Sequence, residues 1–335
     1  MFYAIRHITK FRYNQAITES SMELRMKPQS EGNQVCGSFE LALSPLARAM
    51  SYRDYLGNTI HHFNLLRRHS QLTISTKAAV EVNPLPPLPD AISCQAWKAL
   101  DVAARDSDYW EWLGPSAFAR PTEKLIQLGK ELELGRDDNP LAVLNRLASG
   151  IHTTFSYSPK TTRADSPIDE ALSSRQGVCQ GFSHIMIALA RSLGIPSRYV
   201  SGYLFSQSEA GDGGDRTSAD ATHAWVESWL PELGWVGFDP TNNLIVSDRH
   251  IRVAIGRDYA DVPPTRGVYH GNAKGELSVA VQVRPLDAMP STLVDQEDVP
   301  EEIWREQSLV AAMATAGSGT DEHQHPLQQQ QVGGW

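Results

Sequence analysis

Cysteine is scarce in this 335-residue chain. Three are present, Cys36, Cys94 and Cys179; so few exclude a disulfide framework, and no C-x-x-C pair offers a zinc clamp. Long apolar runs are also missing. The longest, at 185–190 and 309–314, fall far short of a bilayer span, so no membrane-spanning helix is expected. A basic surplus is absent as well: 30 Lys and Arg stand against 39 Asp and Glu, a formal charge of -9. That balance argues against nucleic acid or an anionic membrane as partner. Arg6, Lys10 and Arg12 interrupt the first residues, so no secretory apolar segment is expected there. Few thiols and no such segment point to a reduced, cytoplasmic compartment. What remains is an ordinary composition, 41% hydrophobic and 21% charged, with length for about two domains.

The first part of the chain reads as short strands. Met22, Leu24 and Met26 alternate with Glu23, Arg25 and Lys27, and Phe39, Leu41 and Leu43 alternate with Ser38, Glu40 and Ala42. A period of two marks a half-buried strand, and repeated turn signals between such strands predict a small antiparallel sandwich over residues 1–83. His61 and His62 are neighbours in sequence, so on a strand they face opposite ways and make a poor metal pair. Pro84, Pro86, Pro87 and Pro89 then stiffen residues 84–89 into a linker. Beyond it the pattern turns helical. Thr122 is placed to cap a turn carrying Leu125, Leu128 and Leu132, and Asn139-Pro140 supplies an N-cap followed by proline at the first helical position. A catalytic domain is expected over 90–285 and an extension over 286–335. A short helix is expected at 309–316, with disorder over about the last 20 residues.

The chemistry concentrates between residues 173 and 243. Val178, Phe182, Ile185, Met186, Leu189 and Leu193 recur at helical spacing, ended by Gly194 and Pro196. Cys179 sits in the first turn, where unpaired backbone N–H groups and the helix dipole favour a thiolate and an oxyanion. The helix alone does not separate a nucleophile from a buried structural cysteine. Downstream, strands over 198–205, 223–230 and 235–238 are expected, with a Pro231-Glu232-Leu233-Gly234 turn between the last two. If Trp225 lies opposite Asp239, His223 is its diagonal neighbour on the same face, within side-chain reach. A slip of one residue would turn the carboxylate away. Cysteine, histidine and aspartate in that arrangement are a thiol nucleophile, its base and the group that orients the base.

The segments GVCQGFSHIMIALARSLGIPSRYVSGYLF and DATHAWVESWLPELGWVGFDPTNN resemble the core of the bacterial transglutaminase-like proteins, within the papain-like cysteine superfamily. Residues 1–82 resemble the β domain that accompanies this core, and HIRVAIGRDYADVPPTRGVYHG the segment that follows it. The resemblance implies an α+β fold in which a helix bearing the cysteine packs on an antiparallel sheet bearing histidine and aspartate. It implies Cys179 as nucleophile, His223 as base and acid, and Asp239 as its partner. The implied oxyanion hole pairs the nucleophile's N–H with an upstream donor, for which Tyr157 and Gln176 are the candidates; Trp225 is a sheet-packing residue or a wall of the acyl site. The animal transglutaminases carry tryptophan where Gln180 stands here and require calcium, so calcium-dependent crosslinking is not expected.

The function expected from these features is an amidase or protease acting through a Cys179 thioester, with no cofactor and no metal. Its partner would be a peptide or protein substrate carrying a carboxamide or amide, with an amine acceptor as an option. Protein-glutamine transamidation and a non-catalytic peptide-binding module are the alternatives, and oligomeric state is not readable. Asp212-Gly213-Gly214-Asp215 lacks the ligand spacing of a calcium loop and reads as a surface loop near the cleft. Arg257-Asp258-Tyr259-Ala260-Asp261 reads as an internal salt-bridge network or a substrate wall, and His184 as packing or surface.

Overall fold

The computed structural model describes residues 1–158, 166–206, 222–290, 293, 304–308 and 324–328. The chain is a mixed α and β protein that divides into two units. One holds Met1–Asn83, Ile251–Ala254 and Pro263–Val332, and the other Pro84–His250, Ile255–Val262 and Gly333–Trp335.

In chain order the strands and helices begin with β1 (Phe2–Ile17), β2 (Glu19–Leu24), β3 (Gln34–Ser44), β4 (Met50–Arg53), β5 (Thr59–Leu65) and β6 (His69–Val82). Helices α1 (Ala96–Ala103), α2 (Trp110–Leu113), α3 (Glu123–Glu131) and α4 (Pro140–Thr154) follow. Next come β7 (Ser156–Tyr157), α5 (Ile168–Ser174), β8 (Gln176–Gly177) and α6 (Cys179–Ser192). Strands β9 (Ser197–Leu204), β10 (Thr222–Leu230), β11 (Gly234–Asp239), β12 (Leu244–Ile245) and β13 (His250–Gly256) come after α6. The last strands are β14 (Thr265–His270), β15 (Gly275–Leu286), β16 (Arg305–Ser308) and β17 (Gln324–Gln328).

The first unit is built on two antiparallel sheets, in the orders β16-β15-β1-β6-β3 and β17-β14-β2-β5-β4. Met22, Leu24 and Met26 are buried as their alternation predicts. On β1, residues Tyr3, Ile5, His7, Thr9 and Phe11 share one side of the strand and are all buried, and β15 and β6 pair with its two edges. Here the expected domain boundary needs correction. Residues 265–285 are expected in the catalytic domain, yet β14 pairs with β2 and β15 with β1, the latter from Phe2↔Leu286 to Tyr13↔Gly275. Without β15, the long strand β1 would present an unpaired edge. Pairing over some 270 residues of sequence leaves no local trace in the periodicity. The tail departs from expectation too, since residues 324–328 add to β14 as β17. The helix expected at 309–316 and the loop segment 207–220 lie outside the described residues.

The second unit surrounds α6. Thr122 Oγ1 caps α3 by accepting the Leu125 N–H at 3.2 Å, and Asn139 Oδ1 caps α4 by accepting that of Ala142 at 3.1 Å. Helix α6 is apolar nearly all round, from Phe182 to Ala190, because β9 and β10 cover it on one side while α3, α4 and α5 cover others. A helix buried on every side is a core helix. Gly194, at φ +77°, ends it. Arg191 anchors its C-terminal end, donating to the carbonyls of Ser197, Gly114 and Arg257 at 2.8–3.1 Å. The sheet runs in the order β12-β11-β10-β9-β13. Arg198 and Glu227 form a buried pair across β9 and β10 at 2.7 Å, and Trp235 stacks on the guanidinium at 4.1 Å.

Candidate active site

Cys179 is the first residue of α6, and the N-cap, Val178, has no side chain able to occupy the helix's free N–H groups. No side-chain cap competes there with an anion for the N-terminal donors. Cys179 is a free thiol and fully buried, whereas Cys94 is exposed and Cys36 half-buried. Burial alone would suit a structural cysteine equally well. Its neighbours decide between the two.

Strands β10 and β11 pair with Val226 opposite Phe238, which continues to Trp225 opposite Asp239, the register that lets His223 and Asp239 meet. Asp239 Oδ2 accepts from His223 Nε2 at 2.7 Å, both residues being buried. The other oxygen has a separate task. Oδ1 accepts the backbone N–H groups of Thr241 and Asn242 at 3.0 and 3.2 Å. Pro240 has no N–H to offer, so the Asx turn closes on the two residues after it. Asp239 is thus a turn acid and a histidine partner at once. The Asn242 side chain donates to Oδ2 at 2.7 Å, and His250 Nε2 approaches the same oxygen at 3.4 Å.

These contacts set the charges. Burial would raise the Asp239 pKa, but the charge and hydrogen bond of His223, then those of His250, hold it well below the ordinary carboxylate range. Burial would likewise depress His223. The Asp239 charge and hydrogen bond outweigh that, the Cys179 sulfur adds to it, and the imidazole is pushed up to about 10. With Nε2 committed to Asp239, Nδ1 has no nitrogen or oxygen partner among the described residues and is the position from which a thiol proton can be taken. Tyr199 on β9 also feels Cys179; burial first, then that sulfur's charge, raise its phenol well above the usual value.

Trp225 is buried beside the pair, its ring 6.1 Å from His223 and 5.3 Å, edge-on, from His250. Among the described residues its indole N–H has no acceptor. Tyr157 lies on β7, paired with Gly177 two residues before Cys179. Gln176 lies on β8 and is exposed. His184 is packing: its ring stacks between Phe118 and Tyr199, and its Nε2 accepts the Tyr259 N–H at 3.2 Å. Arg257 and Asp261 form a bidentate pair at 2.9 Å, the internal salt bridge of that loop. Trp229 packs on Tyr109 and Trp235 on Trp112. Sequence reasoning missed His250 and Asn242. The turn at Asp239-Pro240 could have pointed to Asn242; nothing local pointed to His250.

His223, Asp239 and His250 bring donor atoms within 4.8 Å of one another, as a metal site would. Proton bookkeeping does not fit a metal. The Ser247 N–H is donated to His250 Nδ1 at 3.2 Å, so a neutral His250 carries its proton on Nε2, the atom turned toward Asp239. That nitrogen has no lone pair for an ion.

Residues 128–240 match the Transglutaminase-like superfamily, and residues 3–81 the Bacterial transglutaminase-like N-terminal region. An uncharacterized protein of Mycobacterium tuberculosis is 34% identical over 299 residues, covering 85% of this chain and 93% of that one. The chain belongs to the transglutaminase-like superfamily. Another uncharacterized protein, from Mycobacterium leprae, is 32% identical over 84% of this chain and 97% of its own length. A protein-glutamine gamma-glutamyltransferase of Pseudomonas aeruginosa is 36% identical, over 27% of this chain and 14% of that protein. Among solved structures, a candidate cysteine protease from Cytophaga hutchinsonii shares the fold, with a TM-score of 0.64, 19% identity and 98% of each chain covered.

Proposed function

We propose that this transglutaminase-like protein is a cysteine amidase or protease. The observation that carries the reading is the buried His223–Asp239 pair at 2.7 Å, with the Cys179 sulfur acting on the same imidazole. His223 Nδ1 already holds the proton taken from the Cys179 thiol, and the thiolate attacks a carboxamide or peptide carbonyl. The developing oxyanion meets the backbone N–H groups of the α6 N-terminus, and the Trp225 indole N–H or Tyr157 hydroxyl is the candidate second donor. His223 returns the proton to the departing nitrogen, leaving a thioester and releasing ammonia or an amine. Water then attacks the thioester with His223 as base; the acid leaves and the thiol is restored. The mechanism requires no metal or cofactor. A reducing compartment such as the cytoplasm would keep Cys179 in the thiol form.

A second reading, transfer of the acyl group to an amine in place of water, is supported by the local similarity to the Pseudomonas aeruginosa transferase. A binding module without catalysis would have no use for a buried imidazole whose affinity for protons is raised.

The first test needs no substrate. Iodoacetamide labelling is followed from pH 4 to 9 by mass mapping, with exposed Cys94 as internal control. Labelling of Cys179 at pH 5–6, lost in His223→Ala, is the expected result. Labelling that rises only near the pH of an ordinary thiol, alike in both proteins, removes the enzyme reading. Amide substrates with and without added amine then separate hydrolysis from transfer.

A further inference from the structure

His250 stands at the start of β13 and is buried. Its orientation is built into the chain before it. Gly237 leaves room for Val246 to cross β11, since an added Cβ there would lie 2.5 Å from Val246 Cβ. The Val246 N–H is donated to the Gly237 carbonyl at 3.0 Å, and the His250 N–H to that of Ser247 at 3.1 Å. This turn is then closed a second time by the side chain, through the Ser247 N–H on His250 Nδ1. A backbone N–H can only donate, so Nδ1 must accept, and the proton of the neutral ring is on Nε2. Nε2 faces Asp239 Oδ2, the oxygen that also takes His223. Trp225 packs against both imidazoles.

We propose that His250 is a positioning residue for the Asp239–His223 pair. Its Nε2–H holds Oδ2 in place and draws off part of the carboxylate's charge, which limits how strongly Asp239 holds the His223 proton. Three donors, His223 Nε2, the Asn242 side chain and His250 Nε2, converge on that oxygen, so strengthening one weakens the others. Without His250, Asp239 would hold that proton too firmly for His223 to release it to a leaving group. The titratable and charged groups around His250 are few. His223 faces it from β10 and Asp239 from β11, Arg249 precedes it in the chain, Cys179 of α6 acts on His223, and His152 of α4 bonds the Thr241 carbonyl at 2.9 Å. Burial, the first cause, keeps His250 below the ordinary histidine value despite Asp239, so it works as a neutral donor.

The inference rests on the reading of Cys179 and His223 as an acting pair, and its test is separable from that reading. The full chain is labelled with 15N-histidine and titrated from pH 5 to 12 by NMR, as wild type, His250→Phe and His250→Gln. Wild-type His250 should read as the neutral Nε2–H tautomer throughout. Loss of the donor in His250→Phe should raise the His223 midpoint by about one pH unit, and the amide of His250→Gln should bring it back by most of that shift. An Nδ1–H tautomer or an imidazolium at neutral pH in the wild type overturns the proposal, whether or not a variant folds. An unmoved His223 midpoint in His250→Phe, or equal displacement in both variants, overturns it too, because a merely structural residue would not discriminate a donor from a ring. Ordinary-thiol labelling of Cys179 alongside the expected tautomer and shift would sink the enzyme reading and leave the positioning role standing.

Discussion

His7 in the β unit and His223 in the helical unit are both about 1% exposed, yet their chemistry is opposite. Burial takes His7 down to about 3, while His223 is raised to about 10. His7 has the Thr9 hydroxyl at 3.5 Å, a neutral neighbour that does nothing for an imidazolium. His223 has the Asp239 carboxylate at 2.7 Å. Desolvation acts on both rings, so the carboxylate first, and then the Cys179 sulfur, account for the reversal. Burying a histidine is a matter of packing; burying it with an oriented anion makes a base.

The comparison is broken most severely by removing the base itself. His223→Ala or Cys179→Ala is expected to lower amide turnover by about 10⁴-fold or more, since nucleophile and base act as one unit and either loss costs nearly the whole. Measured kcat for the two single variants and the double should be alike; a double far worse than either would mean the residues work separately. Asp239→Asn comes next. It retains the shape while removing the charge that distinguishes His223 from His7, so the His223 midpoint should drop below its ordinary value and turnover by about 10³- to 10⁴-fold. The imidazole midpoint by NMR checks the first and kcat/KM the second. A midpoint that stays high would assign the shift to Cys179 instead.

How much of this was legible beforehand follows the range of each signal. The Asn139-Pro140 and Thr122 caps, the buried alternation at Met22 to Met26 and the Cys179 helix are local patterns, and each holds in three dimensions. The His223–Asp239 pairing depended on a register that periodicity cannot supply, and only the tight Pro231–Gly234 turn made one register reasonable. Strands β14 and β15 were invisible as members of the first unit, because their partners β2 and β1 lie at the other end of the chain. His250 was missed for a related reason. Its role comes from the Ser247 N–H and a close approach over Gly237, neither of which has a sequence signature. Asp239 teaches the opposite lesson: a turn role and a histidine role look like alternatives for one carboxylate, yet its two oxygens divide them.

The same contrast predicts the acid stability of the protein. His7, His184 and His250 all lie below their unfolded value, His184 at about 4. Below pH 6.5 the unfolded chain binds protons that these buried rings refuse, so stability falls as pH drops toward their folded values, by about 1.4 kcal/mol per group per pH unit. Asp239, held low, adds a loss that begins only below its unfolded value near 3.8. His223 runs the other way: its contribution is complete below 6.5 and is lost as pH rises toward 10. Urea midpoints at pH 7, 5.5 and 4.5 should fall steadily, and His7→Leu should shallow the slope by about one proton. Equal slopes in the two proteins would show that His7 is protonated in the folded state and end its use as the contrast to His223.

The smallest expected effect concerns the wall the two active-site histidines share. Trp225 packs against both imidazoles and carries a buried indole N–H without an acceptor among the described residues, a costly arrangement unless something arrives to accept it. Trp225→Phe retains most of the ring and deletes that donor. If the N–H serves the oxyanion, kcat should fall by about tenfold to a hundredfold with KM little changed, because the bond would form mainly in the transition state. If Trp225 only packs, turnover should stay within about twofold, and removal of an unsatisfied buried donor should leave stability equal or slightly higher. Tyr157→Phe, measured beside it, assigns the second donor: whichever variant lowers kcat at constant KM carries it. A fall in neither would leave the backbone N–H groups at the start of α6 as sufficient, and the unpartnered indole as a cost of packing two histidines against one tryptophan.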